Sequence, residues 1–369
     1  MNALGIIFSN IHDFNVPELT SGRTMAAIPF GGRYRLIDFP LSCMVNSGIT
    51  HVGCVTKRNY RSLMDHIGSG KEWDLARLNG GFVLLPPFGE VESDLLYNTR
   101  LEALKTILGF IKRSNEEYFI MSDSNSVYNV DFKDVMDFHE KTGAEITMLY
   151  VKKPSSHIGG KDNLILKIDE NSRVTGMYMD PRMQGLMNLY GDIMVMKRSL
   201  LVSLVNDAIS QGRHHFIEVL SDSLKKYRIM AYEHKGYFEQ ISSLKRFYDV
   251  NLDLLDKEKR AELFGGAEVF TRVKNSTPTK YGVNAIVKNS LVSDGCVIEG
   301  EVYNSVLSRG VKVGRGTVIK DSVIMKNTIT GENVTLNCVV ADKSVVVRDR
   351  KIISGDPGFP IYIPKGRIV

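Results

Sequence analysis

The chain has 369 residues, of which 43% are hydrophobic and 24% charged, the balance of a folded globular protein long enough for two domains. No stretch approaches the roughly 18–20 apolar residues of a bilayer span, and the first residues carry no basic leader, so neither a membrane protein nor a signal peptide is expected. The net charge of +5 is spread over short clusters such as Lys225-Lys226-Tyr227-Arg228, without the dense stripe or motif of a nucleic-acid binder.

Ala3 to Phe8 is a continuous apolar run of strand length, followed by Ser9 to Pro17, a loop without a single glycine. Leu41 to Ser47 reads as helix and Gly48 as its terminator. Thr50 to Val55 and Tyr118 to Met121 are further strand-like runs. Between them Leu101, Leu104, Ile107, Leu108 and Ile111 recur at helical spacing and mark one buried helix face. Trp73 reads as packing beneath a loop, and His214-His215 as a helix entry. A helix is expected from Leu244 to Leu255, then an irregular connector containing Pro278. Alternating strands and helices predict a mostly parallel sheet covered on both faces. Ligands of such sheets sit at the C-terminal strand ends, which directs attention to the segments after Ser9 and Met121.

From about residue 283 the helical period gives way to a small residue followed by an aliphatic one, in steps of mostly five or six. Ser290-Leu291, Cys296-Val297, Ser305-Val306, Gly310-Val311, Thr317-Val318, Ser322-Val323, Thr328-Ile329, Asn333-Val334, Cys338-Val339 and Ser344-Val345 are examples. This hexapeptide period predicts a parallel β-helix with the aliphatic residues inward and the small residues at the corners. Acyltransferases built on such coils use a catalytic histidine there. No histidine follows His234, so a structural, interfacial or regulatory role is expected. The boundaries read as 1–264 for the α/β domain and 265–369 for the β-helix. The cysteines Cys43, Cys54, Cys296 and Cys338 lack metal-ligand spacing and read as reduced, buried thiols of a cytoplasmic protein.

The run Pro29-Phe30-Gly31-Gly32-Arg33-Tyr34-Arg35-Leu36-Ile37-Asp38-Phe39-Pro40-Leu41-Ser42 is joined by Asn46-Ser47-Gly48-Ile49, by Gly68-Ser69-Gly70-Lys71-Glu72-Trp73-Asp74-Leu75, by Asn79-Gly80-Gly81 and by Lys235-Gly236-Tyr237. With these segments the whole chain resembles glucose-1-phosphate adenylyltransferase (ADP-glucose pyrophosphorylase). The resemblance implies a Rossmann-like nucleotidyltransferase domain followed by a left-handed β-helix. It also implies a reaction of ATP with glucose 1-phosphate that gives ADP-glucose and pyrophosphate. Such chemistry needs phosphate-facing amides, basic side chains and Mg²⁺ held by carboxylates.

Each of these needs is compromised here. The family's glycine-rich phosphate loop aligns with a segment carrying Ile11, Asp13, Phe14 and Val16. Its phosphate-facing lysine aligns with Met25 and its sugar-phosphate lysine with Asp180. Its two metal-binding aspartates align with Asn125 and Gln240. Glu239 would point to the opposite strand face, and Asp123 is the nearest replacement carboxylate. No catalytic constellation is intact and no metal site is expected. Among the basic residues Arg23, Arg33 and Arg35 are candidates for phosphate or effector contacts, with structural pairing of Arg33 and Arg35, to Asp38 for instance, as the alternative.

This pattern resembles the GlgD-type subunit of bacterial glycogen synthesis, a catalytically degenerate paralogue. The resemblance implies a regulatory chain with no cofactor of its own and Mg²⁺ on a catalytic partner. It further implies a heterotetramer and a sugar-phosphate or nucleotide effector. The alternatives are an active adenylyltransferase with a metal site rearranged around Asp123, and a stand-alone sugar-phosphate sensor.

Overall fold

The computed structural model describes residues 1–86, 97–155, 158, 163–179 and 184–369. Its first half is built on a twisted mixed sheet. The buried run Ala3–Phe8 forms β1, flanked in parallel by β2 (His51–Val55) and β4 (Tyr118–Asp123), with β3 (Gly81–Leu85) beyond β2. β5 (Ser126–Tyr128) leaves the sheet, β6 (Ile146–Pro154) re-enters it, and the long β7 (Leu186–Lys197) runs antiparallel to both β4 and β6. β8 (Ile229–Glu233) adds in parallel to β6, and β9 (Phe238–Gln240) pairs with β5. The three expected strands are therefore present, and the parallel portion is the core of a mixed sheet.

Helices cover the sheet. α1 (Asp38–Asn46) ends at Ser47, and Gly48 follows at φ 83° as expected of a terminating glycine. The predicted helix face from Leu101 to Ile111 is split into α2 (Arg100–Thr106) and α3 (Leu108–Arg113) by non-helical backbone at Ile107. There the Thr106 hydroxyl donates back to the Ala103 carbonyl at 2.7 Å, a local bond that competes with helix continuation. α4 (Leu244–Asp253) is the expected helix. The connector behind it holds a further helix, α5 (Lys257–Phe264), started by the Asp256 side chain, which accepts from the Glu258 and Lys259 amides. His215 stands at the entry of the helix Phe216–Asp222, and Trp73 is buried edge-on against His66.

From Lys280 the chain winds through three parallel sheets of a left-handed β-helix. The inward alternation is finer than the sequence period suggests. At Cys296, Ser305, Thr317, Ser322 and Thr328 the small residue itself is buried, and the residue two places on joins it inside, because alternate strand residues share a face. The aliphatic residue between them faces out, so Ile329 is 40% exposed. At Gly310, Asn333, Cys338 and Ser344 the small residue does form a corner, with φ between 50° and 72°, and the next aliphatic residue is buried. A Cβ on Gly310 would meet Asn327 Oδ1 at 2.6 Å, so a side chain there would have to displace Asn327.

One outer face of the coils is not solvated. Val323, Met325 and Val340 pack with Phe247, Tyr248 and Leu254, joining the coils to the first half in one apolar cluster. The Tyr248 hydroxyl donates to the Asp321 carbonyl at 2.7 Å, and the Asn251 side chain accepts from the Gly31 amide at 3.0 Å. The motif run beginning at Pro29 thus lies against the helix that carries the coils. All four cysteines are free and buried. No helix among the described residues is long and apolar enough to cross a membrane.

Candidate functional site

The parallel register of β1 and β4 sets Phe8 opposite Asp123, so the chain leaving β1 passes over the end of β4. In this crevice His12 Nε2 lies 2.6 Å from Asp123 Oδ2 and 3.6 Å from Asp192 Oδ2. Asp192 belongs to β7, where its backbone is left-handed (φ 57°) and the pairing with β6 slips between Tyr190 and Met194. Such a bulge re-aims a side chain that regular alternation would have placed elsewhere. The fourth member is Arg100, first residue of α2, whose start is fixed by a capping box between Thr99 and Glu102. Arg100 Nε donates to Asp123 Oδ1 at 3.1 Å and its Nη2 to Asp123 Oδ2 at 2.5 Å, while the same nitrogen also donates to Asp192.

Burial opposes charge on every one of these groups, and their mutual pairing decides which of them keep it. Burial pushes the Asp123 carboxyl up, but the Arg100 charge and the His12 bond overrule it and hold the group below its ordinary range. Burial raises Asp192; Arg100 offsets this only in part, and the Asp123 charge adds to it. For His12 the cost of burial is outweighed by the hydrogen bond and charge of Asp123, so its pKa lies above the ordinary value.

The β5–β9 ladder sets Gln240 opposite Ser126, and the Ile241 amide donates to the Asn125 carbonyl at 2.7 Å. Neither Asn125 nor Gln240 can serve as a charged ligand. Gln240 Nε2 donates to Asp192 Oδ2 at 3.1 Å and to the Tyr190 carbonyl at 3.3 Å, while Asn125 Oδ1 accepts from Ser126 Oγ at 3.1 Å. Glu239 is engaged on the other strand face by Lys153 at 2.6 Å and by Arg246. His12, Asp123 and Asp192 do offer donor atoms within 4.8 Å of one another. Mg²⁺, however, demands near-octahedral oxygen ligation, and both carboxylates are already bridged by the Arg100 guanidinium. The residues present do not fit the metal.

The loop after β1 is equally self-satisfied. Asp13 Oδ1 accepts the Met25 amide at 2.7 Å, and the Thr20 hydroxyl donates to the Asp13 carbonyl at 2.6 Å. Met25 is buried among Val16, Leu19, Ile28 and Phe30, a core residue where the resemblance implies a lysine. Beside the loop a cavity of about 410 Å³ is lined by apolar Ile11, Phe14, Leu164 and Phe216 and by His12, Arg100 and Asp192. Asp180 lies outside the described residues.

The three arginines singled out in the sequence separate. Arg23 is buried and paired with Asp342 of the coils, a bond between the two halves of the chain. Arg33 and Arg35 line a small cleft of about 60 Å³ between the α/β half and the coils, together with His66, Arg272, Lys274, Arg309, Lys326 and Lys343. Arg35 is also held structurally, Nη1 donating to the Ser62 carbonyl at 2.5 Å and its own amide to Asp38 Oδ2 at 2.9 Å, while the Asp38 side chain pairs with His66. The cleft lining contains no acidic side chain among the described residues. Its cations disturb one another: Lys326 and then burial lower Lys274 to about 8, while burial, then Arg35 and Arg23, lower Lys343 to about 7.

Sequence reasoning missed Arg100, Asp192 and the coil side of this cleft. Asp192 was visible as a lone acid in the apolar run Leu189 to Met196. Arg309, Lys326 and Lys343 were visible as bases each 17 residues after the last, one per coil at the same corner.

Fold and crevice together define a nucleotidyl transferase architecture with a hexapeptide β-helix appended. Residues 16–257 match the "Nucleotidyl transferase" family and residues 275–358 the "GlmU-like, C-terminal hexapeptide" family. The chain is 34% identical over 367 residues to the glycogen biosynthesis protein GlgD of Bacillus subtilis (strain 168), covering 99% of this chain and 96% of that protein. It is 34% identical over 322 residues to GlgD of Geobacillus stearothermophilus, covering 86% of this chain and 82% of that protein. To the glucose-1-phosphate adenylyltransferase of Bacillus cytotoxicus it is 29% identical over 365 residues, 96% of this chain and 95% of that protein. The chain belongs to the nucleotidyl transferase family and, within it, to the group of glucose-1-phosphate adenylyltransferases and GlgD proteins.

Proposed function

We propose that this chain is a catalytically impaired, regulatory subunit of glucose-1-phosphate adenylyltransferase, acting in the cytoplasm in glycogen biosynthesis beside a catalytic paralogue. The observation that supports the reading is the crevice: Asn125 and Gln240 are neutral at the positions that the resemblance assigns to metal ligands, and the nearby carboxylates Asp123 and Asp192 are paired with Arg100 and His12. With both aspartates paired in this way, the crevice presents Mg²⁺ with no uncommitted carboxylate. The partner would be the catalytic paralogue, as a heterotetramer, with Mg²⁺ bound by that partner.

The basic cleft supports a regulatory role. Seven lysines and arginines converge there without an acidic lining residue, the charge of a site for a sugar phosphate or nucleotide. The cleft touches both halves of the chain, so an anion bound there would bias how they meet. The test is to assay this chain alone, the catalytic paralogue alone and the two co-expressed. The expected result is no ADP-glucose formation by this chain alone and an altered rate or effector response in the co-purified complex. Absence of both complex and kinetic change would overturn the reading.

A further inference from the structure

Two aspartates in one buried crevice repel each other unless a cation lies between them. From the adjoining ladder Gln240 presents an N–H to Asp192 and adds no charge. The charge that balances the pair comes from the chain itself, since Arg100 reaches Asp123 through two nitrogens and Asp192 through one of the same two. We infer that Arg100 is the resident cation of this crevice, its guanidinium standing between Asp123 and Asp192 where a divalent ion would have to bind, so that the chain excludes metal by occupying its own ligands.

Three features carry this. Without Arg100, His12, Asp123 and Asp192 would be a three-ligand set with donor atoms within 4.8 Å, so the excluded site is one the fold otherwise provides. The backbone at Arg100 is set by the capping box that starts α2, and the side chain is only 14% exposed, which makes it part of the framework. The substitution also differs in chemical consequence from a metal. A guanidinium carries a single delocalised charge and only donor N–H groups, so it offers no open coordination position to a phosphate oxygen or to water. The inference deepens the reading of an impaired subunit and rests on it.

The experiment uses the full chain and Mn²⁺ alone as probe, followed by electron paramagnetic resonance of bound Mn²⁺ and by thermal unfolding. The wild-type chain is expected to bind no Mn²⁺ in the crevice and to keep its midpoint. Arg100→Met, close in length and neutral, is expected to gain an Mn²⁺ signal and to rise in midpoint by about 2 °C or more at millimolar Mn²⁺. Both gains should vanish in Arg100→Met combined with Asp123→Asn. Arg100→Gln serves as a second neutral variant. Recovery of either variant only in the presence of Mn²⁺ would support the inference. Failure of both to fold with or without Mn²⁺ would count against it, because a cation replaceable by a metal must be rescued by one. Wild-type Mn²⁺ binding that depends on Asp123, or a folded neutral variant indifferent to Mn²⁺, would overturn it. These readings come from the isolated chain, so they fail or succeed separately from the co-expression assay.

Discussion

Asp13 illustrates how a single residue satisfies the loop beside the crevice. Its carboxylate accepts the Met25 amide, so an anion of the chain's own sits in the loop that the family resemblance assigns to phosphate. Burial outweighs the amide bond and the Lys57 charge and lifts its pKa to about 7, from an ordinary value of 3.8. The folded chain therefore binds more protons at this carboxyl than the unfolded chain does between those two values. Stability from this group is fully present below about pH 4 and is lost as pH rises through 7. Asp13→Asn keeps an acceptor for Met25 without the charge. It is expected to exceed wild type in urea-unfolding stability at pH 8 by on the order of 1–3 kcal/mol, with the difference shrinking at pH 5. An advantage equal at both values would show that the carboxyl is not the titrating group.

The element that organises the molecule is α4. Its inner side buries Phe247 and Val250, and Tyr248 reaches across to the coils. Val323 and Val340 turn outward toward it from one sheet of the β-helix. Phe247→Ala should cost about 3–5 kcal/mol, read as a lower urea midpoint; because the cluster spans both halves, fluorescence and circular dichroism should shift together. Two separated transitions would mean that the seam is not cooperative. Much of this architecture was legible in the residues. The run Ala3 to Phe8 has only one reading between its turns, and the coil period repeats often enough to be unambiguous. The departures from the family pattern at Met25, Asn125 and Gln240 could be read one position at a time. The pairing that surrounds Asp123 could not. Arg100 and Asp192 are 92 residues apart, and Asp192 enters the crevice only because of a bulge that no local propensity announces. The coil-facing pairs likewise depend on which strand face α4 covers, a tertiary fact that overrides the corner rule.

The two halves of the chain meet again at the basic cleft, and here the molecule as a whole should respond to pH. Arg33, Arg35, Arg272 and Lys274 come from the α/β half and the connector, while Arg309, Lys326 and Lys343 come from successive coils. In the free chain burial and like charge hold Lys343 near 7 and Lys274 near 8, against an ordinary 10.5. The unfolded chain thus binds more protons at these lysines than the folded chain, and stability is lost as pH falls from the lysine range through 8 and 7. A bound dianion reverses the balance: it favours both ammonium forms, so binding draws in protons and tightens as pH falls. Sulfate is a suitable probe because it does not itself titrate in this range. Its stabilising effect on thermal unfolding should be larger at pH 6 than at pH 9, and calorimetry at pH 7.5 in buffers of different ionisation enthalpy should reveal net proton uptake. Lys343→Gln should flatten the pH dependence and weaken sulfate binding together, since the same side chain supplies the charge and the titration. Equal sulfate stabilisation at pH 6 and pH 9, or a Lys343→Gln chain indistinguishable from wild type, would remove the cleft as an anion site and with it the route by which a phosphorylated effector could act on both halves at once.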